Sequence, residues 1–78
     1  MFEKLKEIML QYIDVEESEI TEDSRFVEDL GFDSFSVMTF VGDLEDEYDI
    51  EIDERAIAEV RTVGDMIKYI EKLQKESK

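Results

Sequence analysis

Apolar positions recur at three- and four-residue steps in three stretches of the chain. Phe2, Leu5, Ile8, Met9, Tyr12 and Ile13 form the first, with Glu3, Lys4, Lys6 and Glu7 between them. This spacing predicts an amphipathic helix that ends near Asp14. Phe35, Val37, Met38, Val41, Leu44 and Tyr48 form the second, over about residues 34–48, with Phe40 widening its apolar face. Asp33 stands before it as an N-cap, a carboxylate that can accept from the free amides of the first turn. Val63, Met66, Ile67, Ile70 and Leu73 form the third, opened by a capping box in which Thr62 is the cap and Asp65 reaches back. Lys68, Lys72 and Lys75 suit the C-terminal half of that helix, where the backbone dipole favours cations.

The connecting stretches read differently. Residues 14–32 show no sustained period, but Ser18, Thr21, Asp23 and Ser24 offer turn and cap chemistry. Ile20, Phe26, Val27 and Leu30 are single apolar anchors, so a long, ordered loop is expected, and Gly31 can close it with a positive φ. Ile50 and Ile52 alternate with acids like a short strand. No second strand exists to pair with them, so an extended loop is expected, followed by a short helix over about 54–59 capped by Asp53. The fold class is all-α: a small bundle of three main helices plus one short helix, with a long loop between helices one and two. At 78 residues there is room for a single domain, 1–78, and no second core.

Composition narrows the chemistry. Apolar residues make up 42%, enough for a folded core. There is no cysteine and no histidine. That excludes disulfides, thiolate nucleophiles, a Ser-His-Asp triad and the common zinc sites. The net charge is −14, and residues 14–54 hold 17 acids against one base, Arg25. Nucleic acid and anionic membranes would be repelled, and basic partners attracted. No signal peptide and no apolar run of about 20 residues is visible, so no membrane insertion is expected. A soluble, free-standing, cytoplasmic monomer is the expectation.

Ser34 is the residue with chemical promise. It follows the cap, in the first turn of the second helix, where amide donors and the dipole favour an attached phosphate. Lacking a histidine to activate it, it must be modified by another protein if it reacts at all. Serine is also common in first turns for purely local reasons. The run Phe26-Val27-Glu28-Asp29-Leu30-Gly31-Phe32-Asp33-Ser34-Phe35 resembles the attachment-site signature of acyl carrier proteins. Leu44-Glu45-Asp46-Glu47-Tyr48 with Ile50-Glu51-Ile52 is similar to the family's acidic helix end and the loop after it. Val60-Arg61-Thr62-Val63-Gly64-Asp65 resembles its entry into the last helix. The resemblance covers about residues 18–72.

That resemblance implies a covalent 4′-phosphopantetheine on Ser34, delivered from coenzyme A by a phosphopantetheinyl transferase. Acyl groups would ride on it as thioesters, in fatty-acid, polyketide or related lipid biosynthesis, and the chain would be no enzyme itself. It also implies that Asp33, Asp43, Glu45, Asp46 and Glu47, with Phe35 and Met38, face basic-surfaced synthases, transferases or ligases. Glu28 and Asp29 lie nearby. Part of the core could open beside the second helix to shelter an acyl chain, with bulky Ile57 narrowing the space. Phe35 stands where the family usually has leucine, Ser36 and Thr39 are neutral, and Gly42 lies mid-helix, so a carrier dedicated to a polyketide, a modified lipid or an aminoacyl group stays open.

Rival readings need no covalent cofactor. An acidic helical interaction module is one, and paired-carboxylate catalysis another, although so small a chain offers little burial to shift a pKa. Divalent-cation binding is the third. Asp43, Glu45, Glu47, Asp49, Glu51 and Glu54 fall on the ligand positions of a 12-residue calcium loop. Tyr48 occupies the position where that loop's sharp turn needs glycine, and no metal site is expected.

Overall fold

The computed structural model describes residues 1–76. Helix α1 spans Phe2–Met9, α2 Ser34–Tyr48, α3 Glu54–Ile57 and α4 Val63–Glu76, and a 3-10 turn covers Glu17–Glu19. Among the described residues there is no strand, only an isolated bridge between Arg25 and Thr62. This is the all-α bundle expected from the periodicity. Leu5, Ile8 and Met9 of α1, Phe40, Val41 and Leu44 of α2, and Val63, Met66 and Ile70 of α4 meet in its centre.

The long loop supplies the rest of the core. Ile20, Phe26, Leu30 and Phe32 are all buried. Phe26, Phe32 and Phe40 stack as a trio with ring centres 5.3–5.8 Å apart. Two expectations change here. Val27, read as an anchor, is 63% exposed, while Phe32, not counted among the anchors, is 2% exposed. The reason is a turn at residues 25–30, in which the amides of Asp29 and Leu30 both donate to the Arg25 carbonyl. Side chains four apart share a face in such a turn, so Phe26 and Leu30 go in and Val27 goes out. Gly31 then takes φ 80, which only glycine adopts without strain.

The loop is ordered because its backbone is paired. The Ser24 and Glu22 carbonyls accept from the first amides of α4, Val63 at 3.0 Å and Gly64 at 2.8 Å. The Phe26 amide donates to the Arg61 carbonyl at 3.0 Å. A Cβ on residue 64 would lie 3.1 Å from the Glu22 carbonyl oxygen, so glycine there permits the close approach. Buried Ser24 fastens the turn: its hydroxyl accepts from the Thr21 amide at 2.9 Å and donates to the Glu19 carbonyl at 3.1 Å.

Helix α1 stops at Met9 rather than near Asp14. Its end tightens into three-residue bonds, from the Gln11 amide to the Ile8 carbonyl and from Tyr12 to Met9. Tertiary contacts compete with a further helical turn. The Tyr12 ring meets Phe40 edge-on at 6.1 Å, and its phenol donates to Asp43. Helix α3 is also shorter than the 54–59 expected, because the amides of Glu59 and Val60 bond three residues back instead of four. No residue of α3 is fully buried.

Candidate functional site

Ser34 is the first residue of α2, and it is exposed. The chain before it is held by a reciprocal cap. The Asp33 carboxylate accepts from the Ser36 amide at 2.8 Å and from the Ser36 hydroxyl at 2.7 Å. The Asp33 amide in turn donates to the Ser36 hydroxyl at 3.1 Å. The Ser36 amide, and then its hydroxyl, holds the Asp33 carboxyl below the usual carboxylate range. The cap of α2 is thus the one expected from sequence, with Ser36 as its return partner. Ser34 is left out of this network, and among the described residues no group takes its hydroxyl.

Beside Ser34 lies a groove with a volume of about 450 Å³. Val37 and Met38 of α2 form one wall, and Ile57, Ala58 and Val60, in and just after α3, form the other. Phe26, Phe40 and Met66 line it more deeply, and Arg25, Glu28, Glu54 and Arg61 add charge. A phosphoester on Ser34 would sit at the positive end of the α2 dipole, next to an apolar channel. The residues present therefore fit a phosphate-linked arm: an accessible hydroxyl, a helix start, and a groove at hand. Neither arginine was picked out for this site from sequence. Arg61 comes beside the Arg25–Phe26 segment only through the loop pairing.

The other expected site residues divide. Phe35, the residue after Ser34, is 81% exposed, and Met38, which lines the groove, is 46% exposed. Asp46 is exposed. Asp43 is held by the Tyr12 phenol, whose pKa is raised by that bond. The Glu45 carboxylate accepts from the Ile52 amide at 2.9 Å, which satisfies the extended loop after α2. Glu47 pairs with Lys4 at 3.0 Å, a contact that raises the lysine pKa. The crowded acids at the end of α2 are therefore made tolerable by partners from α1, from the turn after it and from the loop after α2. The helix closes on Asp49 at φ 53, a left-handed cap that aspartate accepts more readily than most residues.

The acidic ladder from Asp43 to Glu54 does not converge. Its first half is helical, so successive carboxylates point to different sides. Among the described residues no group of three or more acidic side chains could hold a metal ion.

Comparison with known proteins agrees with this geometry. The family model described as "Phosphopantetheine attachment site" matches residues 3–70. The acyl carrier protein of Sulfurovum sp. (strain NBC37-1) is 45% identical over 71 residues, covering 91% of this chain and 95% of that protein. The chain belongs to the acyl carrier protein family. The Thermotoga maritima acyl carrier protein is 38% identical over 72 residues, covering 92% and 89%. The solved structure of the Enterococcus faecalis acyl carrier protein superposes with a TM-score of 0.79 at 35% identity, covering 92% of this chain and 91% of that one. Membership brings a covalently attached 4′-phosphopantetheine and the role of a carrier in place of catalysis. No helix among the described residues is long and apolar enough to cross a membrane.

Proposed function

We propose that Ser34 is the attachment point of the 4′-phosphopantetheine arm, and that the chain presents acyl intermediates on it to partner enzymes of fatty-acid or related lipid synthesis in the cytoplasm. The observation that carries this reading is the position of Ser34: exposed, free of hydrogen bonds to the described residues, and opening α2 beside an apolar groove. The chain has no histidine to activate the hydroxyl, so a phosphopantetheinyl transferase supplies the base: the Ser34 oxygen bonds to the pantetheine-side phosphorus of coenzyme A, the pyrophosphate P–O bond breaks, and adenosine 3′,5′-bisphosphate leaves. The arm supplies a thiol for thioester formation, which this cysteine-free chain lacks.

The chain's own residues then do three things. The start of α2 stabilises the phosphodiester charge through its dipole. The Asp33–Ser36 cap fixes the direction in which Ser34 leaves the helix. Val37, Met38, Ile57 and Val60 line a groove that can cover a short apolar cargo and keep water from it. Ile57 fills part of that space.

Incubation with coenzyme A, magnesium and a broad-specificity phosphopantetheinyl transferase, read by intact mass, tests the assignment. The wild-type chain gains one phosphopantetheine and the Ser34→Ala variant gains none. Modification of Ser34→Ala would move the site elsewhere.

A further inference from the structure

The chain carries three arginines, and they are engaged differently. Arg25 is clamped by Glu28 and Asp29, and Arg55 lies 3.9 Å from Asp53. Arg61 forms no ion pair among the described residues, in a chain with 23 acids and 9 bases. Its place makes this more pointed. It stands just before the first turn of α4, where the helix dipole disfavours a cation. Lys72 and Lys75 also form no ion pair, but they lie toward the C-terminus of α4, where the dipole welcomes them.

The backbone of Arg61 is occupied while its guanidinium is not. Its carbonyl accepts from the Phe26 amide at 3.0 Å. Its amide donates to the Asp65 carboxylate at 3.3 Å, and that same oxygen accepts from the Thr62 amide at 3.3 Å. The acid nearest in sequence on α4 is thus taken up by backbone. Arg61 also lines the groove beside Ser34, next to Val60. The other charged groups there are mostly spent: Arg25 on Glu28, and Asp33 on the Ser36 amide and hydroxyl. Glu54 lines the groove too, and it forms no ion pair with Arg61.

We propose that Arg61 is an anion-binding residue of the groove. It pairs with a charged oxygen group on whatever Ser34 carries, either the phosphodiester of the arm or a carboxylate at the free end of a dicarboxylic acyl cargo. The proposal rests on the carrier reading of Ser34 and narrows the cargo that reading allows. A guanidinium has donors only, in a planar fork that matches carboxylate and phosphate oxygens. The apolar lining of Val37, Met38, Ile57 and Val60 lowers the local dielectric and strengthens such a pair. Residues 14–54, with 17 acids against one base, would otherwise push an anion out of the groove. Arg61 supplies the counter-charge from outside that stretch.

Arg61→Gln tests it, because glutamine keeps the amide and carbonyl bonds and removes only the charge. Wild type and variant are loaded from coenzyme A, hexanoyl-coenzyme A and glutaryl-coenzyme A, and each form is melted beside its unmodified chain. The substitution lowers Tm by about 1–5 °C more in an anion-bearing form than in the unmodified chain. That extra loss shrinks in high salt, and Arg61→Lys recovers part of it. An equal extra loss in all three loaded forms assigns the anion to the arm's phosphodiester. An extra loss in the glutaryl form alone assigns it to a cargo carboxylate. Equal losses in loaded and unmodified chains, or a larger loss in the hexanoyl form than in the glutaryl form, overturn the proposal, since the side chain would then serve only by packing. Failure of the wild type to load at all would sink the carrier reading on which it stands.

Discussion

Two segments that border the groove beside Ser34, the irregular loop before α2 and the short helix α3, differ in how they are held, and the irregular one is the better anchored. Residues 20–33 form no regular element beyond turns, yet Ile20, Ser24, Phe26, Leu30 and Phe32 are buried. Their backbone bonds run to Arg61 and to the first amides of α4. Across the groove, α3 is a proper helix by its hydrogen bonds, but it is one turn long and has no fully buried residue. It is held at its start by polar contacts. The Asp53 carboxylate caps the Arg55 amide at 2.9 Å, and the Tyr69 phenol accepts from the Asp53 amide at 3.0 Å. Order in so small a chain follows buried apolar surface and paired backbone groups, not helical regularity. If the groove widens for cargo, the α3 wall is the one that yields.

The largest test of that contrast is Phe26→Ala. It removes the ring that touches both Phe32 and Phe40. A loss of about 3–5 kcal/mol is expected in urea denaturation, the cost of a core aromatic. A loss below about 1 kcal/mol would mean that the loop is a surface feature after all. Ser24→Ala comes next, at about 1–3 kcal/mol, because it takes the hydroxyl partner from both the Thr21 amide and the Glu19 carbonyl.

The helical wall should respond less. Ile57→Ala is expected to cost about 1 kcal/mol or less, since the side chain is only half-buried, and to enlarge the groove. Amide exchange should show the same order, with Ala56 and Ile57 exchanging at least about tenfold faster than Phe26 and Phe32. Equal protection on the two sides would erase the contrast.

The smallest effect concerns acid. Backbone amides hold Asp29, Asp33 and Asp65 below the usual carboxylate range: Arg25 for the first, Ser36 for the second, Arg61 and Thr62 for the third. Groups with a depressed folded pKa stabilise above their unfolded value and lose that contribution as pH falls through the folded one. Tm should therefore decline as pH drops below about 4, the ordinary carboxylate range. Asp33→Asn should flatten part of that decline, because asparagine caps without titrating. An unchanged acid slope in this variant would detach the cap from acid stability.

Much of this was legible in the chain itself. Asp33 and Asp53 as caps, the Thr62–Asp65 box, Gly31 at positive φ and the span of α2 all follow from local rules, because each depends on residues within one or two turns. Local rules also placed Ser34 in the first turn of α2, where the structure has it. They failed where the deciding contact is distant in sequence. Val27 and Phe32 exchanged places with respect to the core, because the turn at 25–30 sets which residue points inward. Helix α1 ended early, because Tyr12 turns to Phe40 and Asp43, about 30 positions away in sequence.

The acids of α2 show the same division. Their number, their crowding and their conflict with the helix dipole are properties of residues 43–47 alone, and the sequence was sufficient to reveal them. Which of them would be free to meet a partner was a matter of folding. Packing brings Tyr12, Lys4 and the Ile52 amide against Asp43, Glu47 and Glu45, and leaves Asp46 exposed. Charge is carried by the chain wherever it goes, but a carboxylate's partner is chosen by proximity, and proximity between distant residues exists only once the helices pack.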